Sequence, residues 1–132
     1  MENFTIIASP EFEKRLQEFG KKLQLNDFRF ENKGAVRDEY YDMNFDIKKS
    51  VKFFYFAIMF PPALTGSFEY YNNIIDKFKS TVQEHVQQTN QPVVIQTDET
   101  TYYFDVNTPE KDYQEFMEEI RHPQFAEVKK KD

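Results

Sequence analysis

The stretch Val51-Lys52-Phe53-Phe54-Tyr55-Phe56-Ala57-Ile58-Met59-Phe60, closed by Pro61-Pro62, limits what this chain can fold into. After Lys52 come eight uncharged residues, five of them aromatic, with apolar side chains at odd and even positions alike. A strand turns successive side chains to opposite faces, so this one is expected to be buried on both. It is too short to span a bilayer, which needs about 20 apolar residues. Aromatic density, length and the double proline favour a central strand over a helix.

Around this strand the pattern alternates between helix and hairpin. Phe4 to Ala8 is a short β-type run, and Ser9-Pro10-Glu11 reads as N-cap, first-turn proline and first-turn acid of a helix over about 10–25. Phe12, Leu16, Phe19 and Leu23 recur at helical spacing, and Gly20 suggests a close approach to the sheet. Phe28 and Phe30 suggest a brief strand, and Asn32-Lys33-Gly34 a turn. Arg37 to Ile47 alternates over a long run and is expected to pair with Val51–Phe60 as a hairpin, through Lys48-Lys49-Ser50. Tyr71, Ile74, Ile75, Phe78, Val82 and Val86 follow a 3.6-residue period, predicting a helix over about 68–89 that Asn90-Gln91-Pro92 stops. Val93–Thr97 and Thr101–Val106 make a second hairpin. A third helix starts at Thr108-Pro109-Glu110 and ends at His122-Pro123, before a frayed basic tail over about 124–132.

This order predicts a single α+β domain over residues 1–132: an antiparallel sheet of about four to six strands with two to three helices packed on it. Two arrangements fit. One is ferredoxin-like, β-α-β-β-α-β, extended by a strand and a C-terminal helix. The other is a cup-shaped sheet curled around the long helix, which the aromatic load would suit.

Composition narrows the function classes. The chain has no cysteine, so disulfides, thiolate metal sites and cysteine nucleophiles are excluded. Twenty-three acidic against 17 basic residues give a net charge of −6, which opposes non-specific nucleic-acid binding. Three glycines leave no phosphate-cradling Gly-rich loop, and no G-x-S-x-G elbow is present. The chain reads as soluble and cytoplasmic, with no cofactor and no membrane contact.

Four constellations remain. Asp46-Ile47-Lys48 has the form of the D-x-K element of metal-dependent nucleases, but Asp38 lies about 26 Å up the same strand, too far to share an ion. His85 and His122 sit near predicted helix ends, where an imidazolium favours the dipole; a capping or surface role is the plain reading. Tyr40, Tyr41, Phe53, Phe54, Tyr55 and Phe56 could stack single-stranded RNA, yet lack the surrounding cations, and core packing explains most of them. The ladder Asp38, Asp42 and Asp46, interleaved with Tyr40 and Asn44, repeats its carboxylates about 13 Å apart on one strand face.

Charges on such a strand guard an edge against aggregation, or they dock on a basic protein surface with Tyr40 as an anchor. The leading expectation is therefore a non-enzymatic binding protein of inhibitor, antitoxin or immunity type, or a DNA mimic, using Asp38, Tyr40, Asp42, Asn44 and Asp46 against a basic protein partner. The alternatives are a small-molecule-binding aromatic cup or enzyme, and a metal-dependent nuclease-like domain. A homodimer that buries the second sheet face is compatible with any of them.

Overall fold

The structure is a computed structural model that describes residues 3–23, 28–36, 52–59 and 68–130; for 3, 68–71 and 122–130 it gives the backbone alone. Eight elements follow one another: β1 (Asn3–Ala8), α1 (Glu11–Lys22), β2 (Arg29–Ala35), β3 (Phe54–Met59), α2 (Phe68–Thr89), β4 (Val93–Gln96), β5 (Thr101–Phe104) and α3 (Glu110–Lys130). The strands form one antiparallel sheet in the order β2-β3-β1-β4-β5. The first six elements, with strand order 2-3-1-4, have the ferredoxin-like connectivity, and β5 and α3 extend it.

β3 lies inside the sheet with a neighbour on each side. Phe56 stands opposite Ile6 of β1 and Asn32 of β2, and Ile58 opposite Phe4 and Phe30. The hairpin expected between Arg37–Ile47 and Val51–Phe60 is therefore corrected. Both hydrogen-bonding edges of β3 are taken, one by β1 from the start of the chain and one by β2. Residues 37–51, including the whole alternating run, lie outside the described residues.

β3 divides its side chains between two cores. Phe56 and Ile58 face the helices and are fully buried, with Phe54 packed against the same cluster. Phe53 is buried on the opposite face with Ile7, Val36 and Val94, and Tyr55 packs against them. The four consecutive aromatics thus alternate between faces, and no continuous stacking platform is formed by them.

The helix-side core is built where the spacing put it. α1 contributes Phe12, Leu16 and Phe19; α2 contributes Ile74, Ile75, Phe78, Val82 and Val86; α3 contributes Tyr113, Phe116, Met117 and Ile120. Their rings meet edge-on, Phe4 with Phe78 and with Phe116 at 5.8 Å and Phe19 with Phe78 at 5.3 Å between centroids. Among the described residues these rings fill the space between the sheet and α2.

Local signals were used in ways their sequence did not announce. Asn32-Lys33-Gly34 forms a bulge inside β2 instead of a turn: the register shifts between Asn32 and Gly34, Gly34 adopts φ 111°, and its N–H donates to Asn32 Oδ1 at 2.9 Å. Gly20 approaches not the sheet itself but the ring of Phe28, just before β2, which a Cβ there would meet at 3.2 Å. α2 ends at Thr89, and Asn90 in the left-handed region (φ 54°) terminates it. α3 does not stop at His122-Pro123; its backbone stays helical to Lys130. Inside a helix a proline removes one N–H and crowds one carbonyl, which bends rather than necessarily ends it, and no second breaker follows in Gln124–Lys130.

The register of β3 is testable by substitution. Phe56→Ala opens a cavity under three elements and is expected to cost about 3–5 kcal/mol of unfolding free energy. Met59→Ala, at an exposed position of the same strand, should change it by less than about 1 kcal/mol. Urea unfolding of the two variants checks the contrast, and equal losses would contradict this register.

Candidate functional site

Position 85 lies three residues from Val82 and seven from Phe78, inside the apolar stripe of α2. His85 is accordingly buried, as is Ser9, rather than placed at the surface near a helix end. Phe12 of α1 covers the imidazole edge-on at 5.0 Å between centroids. Arg15 Nε donates to His85 Nδ1 at 3.1 Å, and Arg15 Nη2 donates to Gln88 Oε1 at 2.7 Å. Ser9 Oγ stands 3.2 Å from His85 Nε2.

Arg15 can only donate, so Nδ1 accepts and the proton of the neutral ring sits on Nε2. Nε2–H then donates to the Ser9 oxygen. Ser9 also acts on the Glu11 carboxyl and is the main cause that holds it below the usual carboxylate range. One directed chain results: Arg15 to His85 to Ser9.

This polarity is the reverse of what a serine nucleophile needs, because a general base must accept the hydroxyl proton. Both groups are also shut off from solvent. The relay ties α1 to α2. It also changes how α1 begins. Pro10, not Ser9, is the N-cap, no side chain caps the helix, and the Ser9 carbonyl accepts from Phe12 N–H at 3.0 Å.

A second assembly lies at the β5 end of the sheet. Residues 98–121 carry eight acidic side chains against two basic ones. α3 runs back along β5: Tyr113 stacks on Phe104 with centroids 4.3 Å apart, and Tyr102 donates its hydroxyl to Glu119 at 2.9 Å. Glu115 and Glu118 are exposed on α3, and Asp98 and Glu99 are exposed in the β4–β5 turn towards which α3 runs. Glu110 pairs with Lys79 and also accepts from Gln83 and Gln114, and the Lys79 contact holds its carboxyl below the usual range. Burial pushes the Tyr102 and Tyr113 phenols up to about 12, helped by the negative groups around them: Glu119 for Tyr102, Asp105 and Glu110 for Tyr113. Tyr103, on β5 beside them, is an exposed large side chain.

The residues expected to form the partner face, Asp38, Tyr40, Asp42, Asn44 and Asp46, lie outside the described residues, as do Asp46-Ile47-Lys48 of the nuclease-like element. Among the described residues no three His, Asp or Glu side chains stand together to hold a metal ion, and no helix is long and apolar enough to cross a membrane. No protein-family model, curated protein or solved structure matches this chain.

Burial pushes His85 down from 6.5 to about 4, and the Arg15 charge adds to the effect. The unfolded chain therefore takes up a proton near pH 6.5 that the folded chain refuses until about pH 4. Stability from the neutral ring is complete above about pH 6.5 and falls through that window, by at most on the order of 3 kcal/mol. His85→Gln keeps one acceptor and one donor but does not titrate. Urea unfolding between pH 7 and 4.5 should show a steeper loss for the natural protein than for His85→Gln; parallel curves would place a charged histidine in the core.

Proposed function

We propose that this chain is a non-enzymatic binding protein of the inhibitor, antitoxin or immunity type, docking an acidic, tyrosine-bearing surface on a basic protein. The observation that carries the reading is the acidic excess of residues 98–121, with Asp98 and Glu99 exposed in the β4–β5 turn and Glu115 and Glu118 exposed on α3; Tyr103 is exposed on the other face of β5. Carboxylates without ion-pair partners raise association rates with cationic surfaces, and a tyrosine supplies contact area at low entropic cost. Of the five acidic residues Asp98, Glu99, Glu115, Glu118 and Glu119, none makes an ion pair among the described residues. The acidic ladder Asp38, Asp42 and Asp46 with Tyr40 and Asn44 belongs to the same reading as a second acidic stretch of sequence. The inverted polarity of the buried Ser9–His85 pair speaks against a serine hydrolase.

The test is immobilised full-length protein presented with extracts of its host at low salt and at about 0.5 M salt, where charge interactions reach only a few ångströms. A basic protein should be retained at low salt and released at high salt. The double variant Glu115→Lys/Glu118→Lys should weaken the purified pair at least tenfold, as should Asp42→Lys if the ladder shares the surface. Retention unaffected by salt and by all three substitutions would end the reading.

A further inference from the structure

A groove of about 540 Å³ runs along the seam of α1 and α2, on their outer side. Its volume falls within the range of small-molecule sites. Arg15 lines it, and this guanidinium is unusual in its partners. Both of its hydrogen bonds go to neutral acceptors, His85 and Gln88, and no carboxylate lies within ion-pair distance among the described residues. The two bonds hold the guanidinium half-buried and fixed, with N–H donors left over. An oxyanion would supply the missing charge in a fork geometry that Arg15 already presents.

Phe19 and Leu23 line the groove on α1, and Ser80 and Thr81 on α2. Arg15 and Lys22 are two helical turns apart, about 10 Å, so the groove is long enough for an apolar body beyond the charged head. Glu18 and Glu84 also line it, and their charges oppose a doubly charged head more than a singly charged one. Lys22 and Lys77 stand at the end away from Arg15, neither in an ion pair among the described residues, and keep the groove from being net acidic.

We propose that the α1–α2 groove is a binding site for a small organic monocarboxylate, its head on Arg15 and its apolar body over Phe19 and Leu23. The site is separate from the acidic surface at β5 and α3, so each can fail without the other.

The full chain, labelled with ¹⁵N, is titrated with benzoate, inorganic phosphate and benzylammonium. Benzoate should shift resonances of Arg15, Phe19, Ser80 and the His85 ring in a saturable way, with a Kd in the millimolar range usual for a fragment of this size. Phosphate should bind at least tenfold more weakly and benzylammonium not at all. Arg15→Gln should raise the benzoate Kd at least tenfold. Because Arg15 also holds His85, a second variant keeps the test independent of folding. Ser80→Trp, at an exposed α2 position, fills the groove and should abolish the shifts while leaving the thermal melt in place. Absence of saturable shifts, phosphate binding as tightly as benzoate, or benzoate binding unchanged in Ser80→Trp would each overturn the proposal.

Discussion

The double pairing of β3 is the constraint on which the rest of this molecule depends. With β1 on one side and β2 on the other, the strand joins the start of the chain to its middle, and β1 then carries β4 and β5. Its two faces feed two different cores, Phe56 and Ile58 towards the helices, Phe53 and Tyr55 away from them. An apolar residue at every position is what such a strand requires, and a polar residue at either Phe53 or Phe56 would leave a buried group without water. The helices inherit their places from this arrangement. α1 connects β1 to β2 across β3, α2 connects β3 to β4 across β1, and α3 closes over β5, so the long helix falls in the middle of the layer.

Much of this arrangement is encoded in local pattern. Ile74, Ile75, Phe78, Val82 and Val86 are all buried on α2, whose limits agree with their periodicity, because a stripe at 3.6-residue spacing has one way to meet a sheet. The sheet class and the β4–β5 hairpin followed from equally local signals. Strand pairing did not. Nothing in Val51–Phe60 says that its neighbour is Phe4–Ala8, some fifty residues back, rather than the adjacent alternating run, since hydrogen-bonding edges carry no side-chain signature. The bulge at Lys33 was hidden for a related reason: Asn and Gly favour turns and bulges through the same positive-φ freedom. The ladder from Asp38 to Asp46 is legible only as sequence, and its geometry lies outside the described residues.

His85 had a signal that charge-based reasoning passed over. Counted with Phe78 and Val82, it completes an apolar face, and a histidine on such a face is buried unless something prevents it. Burying it neutral costs little only if both ring nitrogens are satisfied, which Arg15 and Ser9 do from either side. The same bonds fix where α1 sits on α2, because sliding α1 by one turn would strand the ring, the guanidinium and the hydroxyl together. An apolar pair in their place could slide with far less penalty. A polar relay in this seam therefore sets register more than it adds stability.

The relay also decides which charges reach the surface. By spending the donors of Arg15 on neutral groups, it leaves a cation unneutralised at the α1–α2 seam, while α3 and β5 collect acids on the far side of α2. Neighbouring helices pack about 8–10 Å apart, so α1 and α3, separated by α2, stand roughly 20 Å apart. Physiological salt screens exposed charges over about 8 Å. The two ends are thus nearly independent electrostatically, and the net charge of −6 describes neither of them. Among the described residues the acidic excess of 98–121 lies on the β5 side. At α1 the fold holds the Arg15 guanidinium by hydrogen bonds to two neutral groups. The segregation follows from topology: among the described residues β2 and β5 are the two edges of the sheet, so α1 and the acidic residues of β5 and α3 fall on opposite flanks.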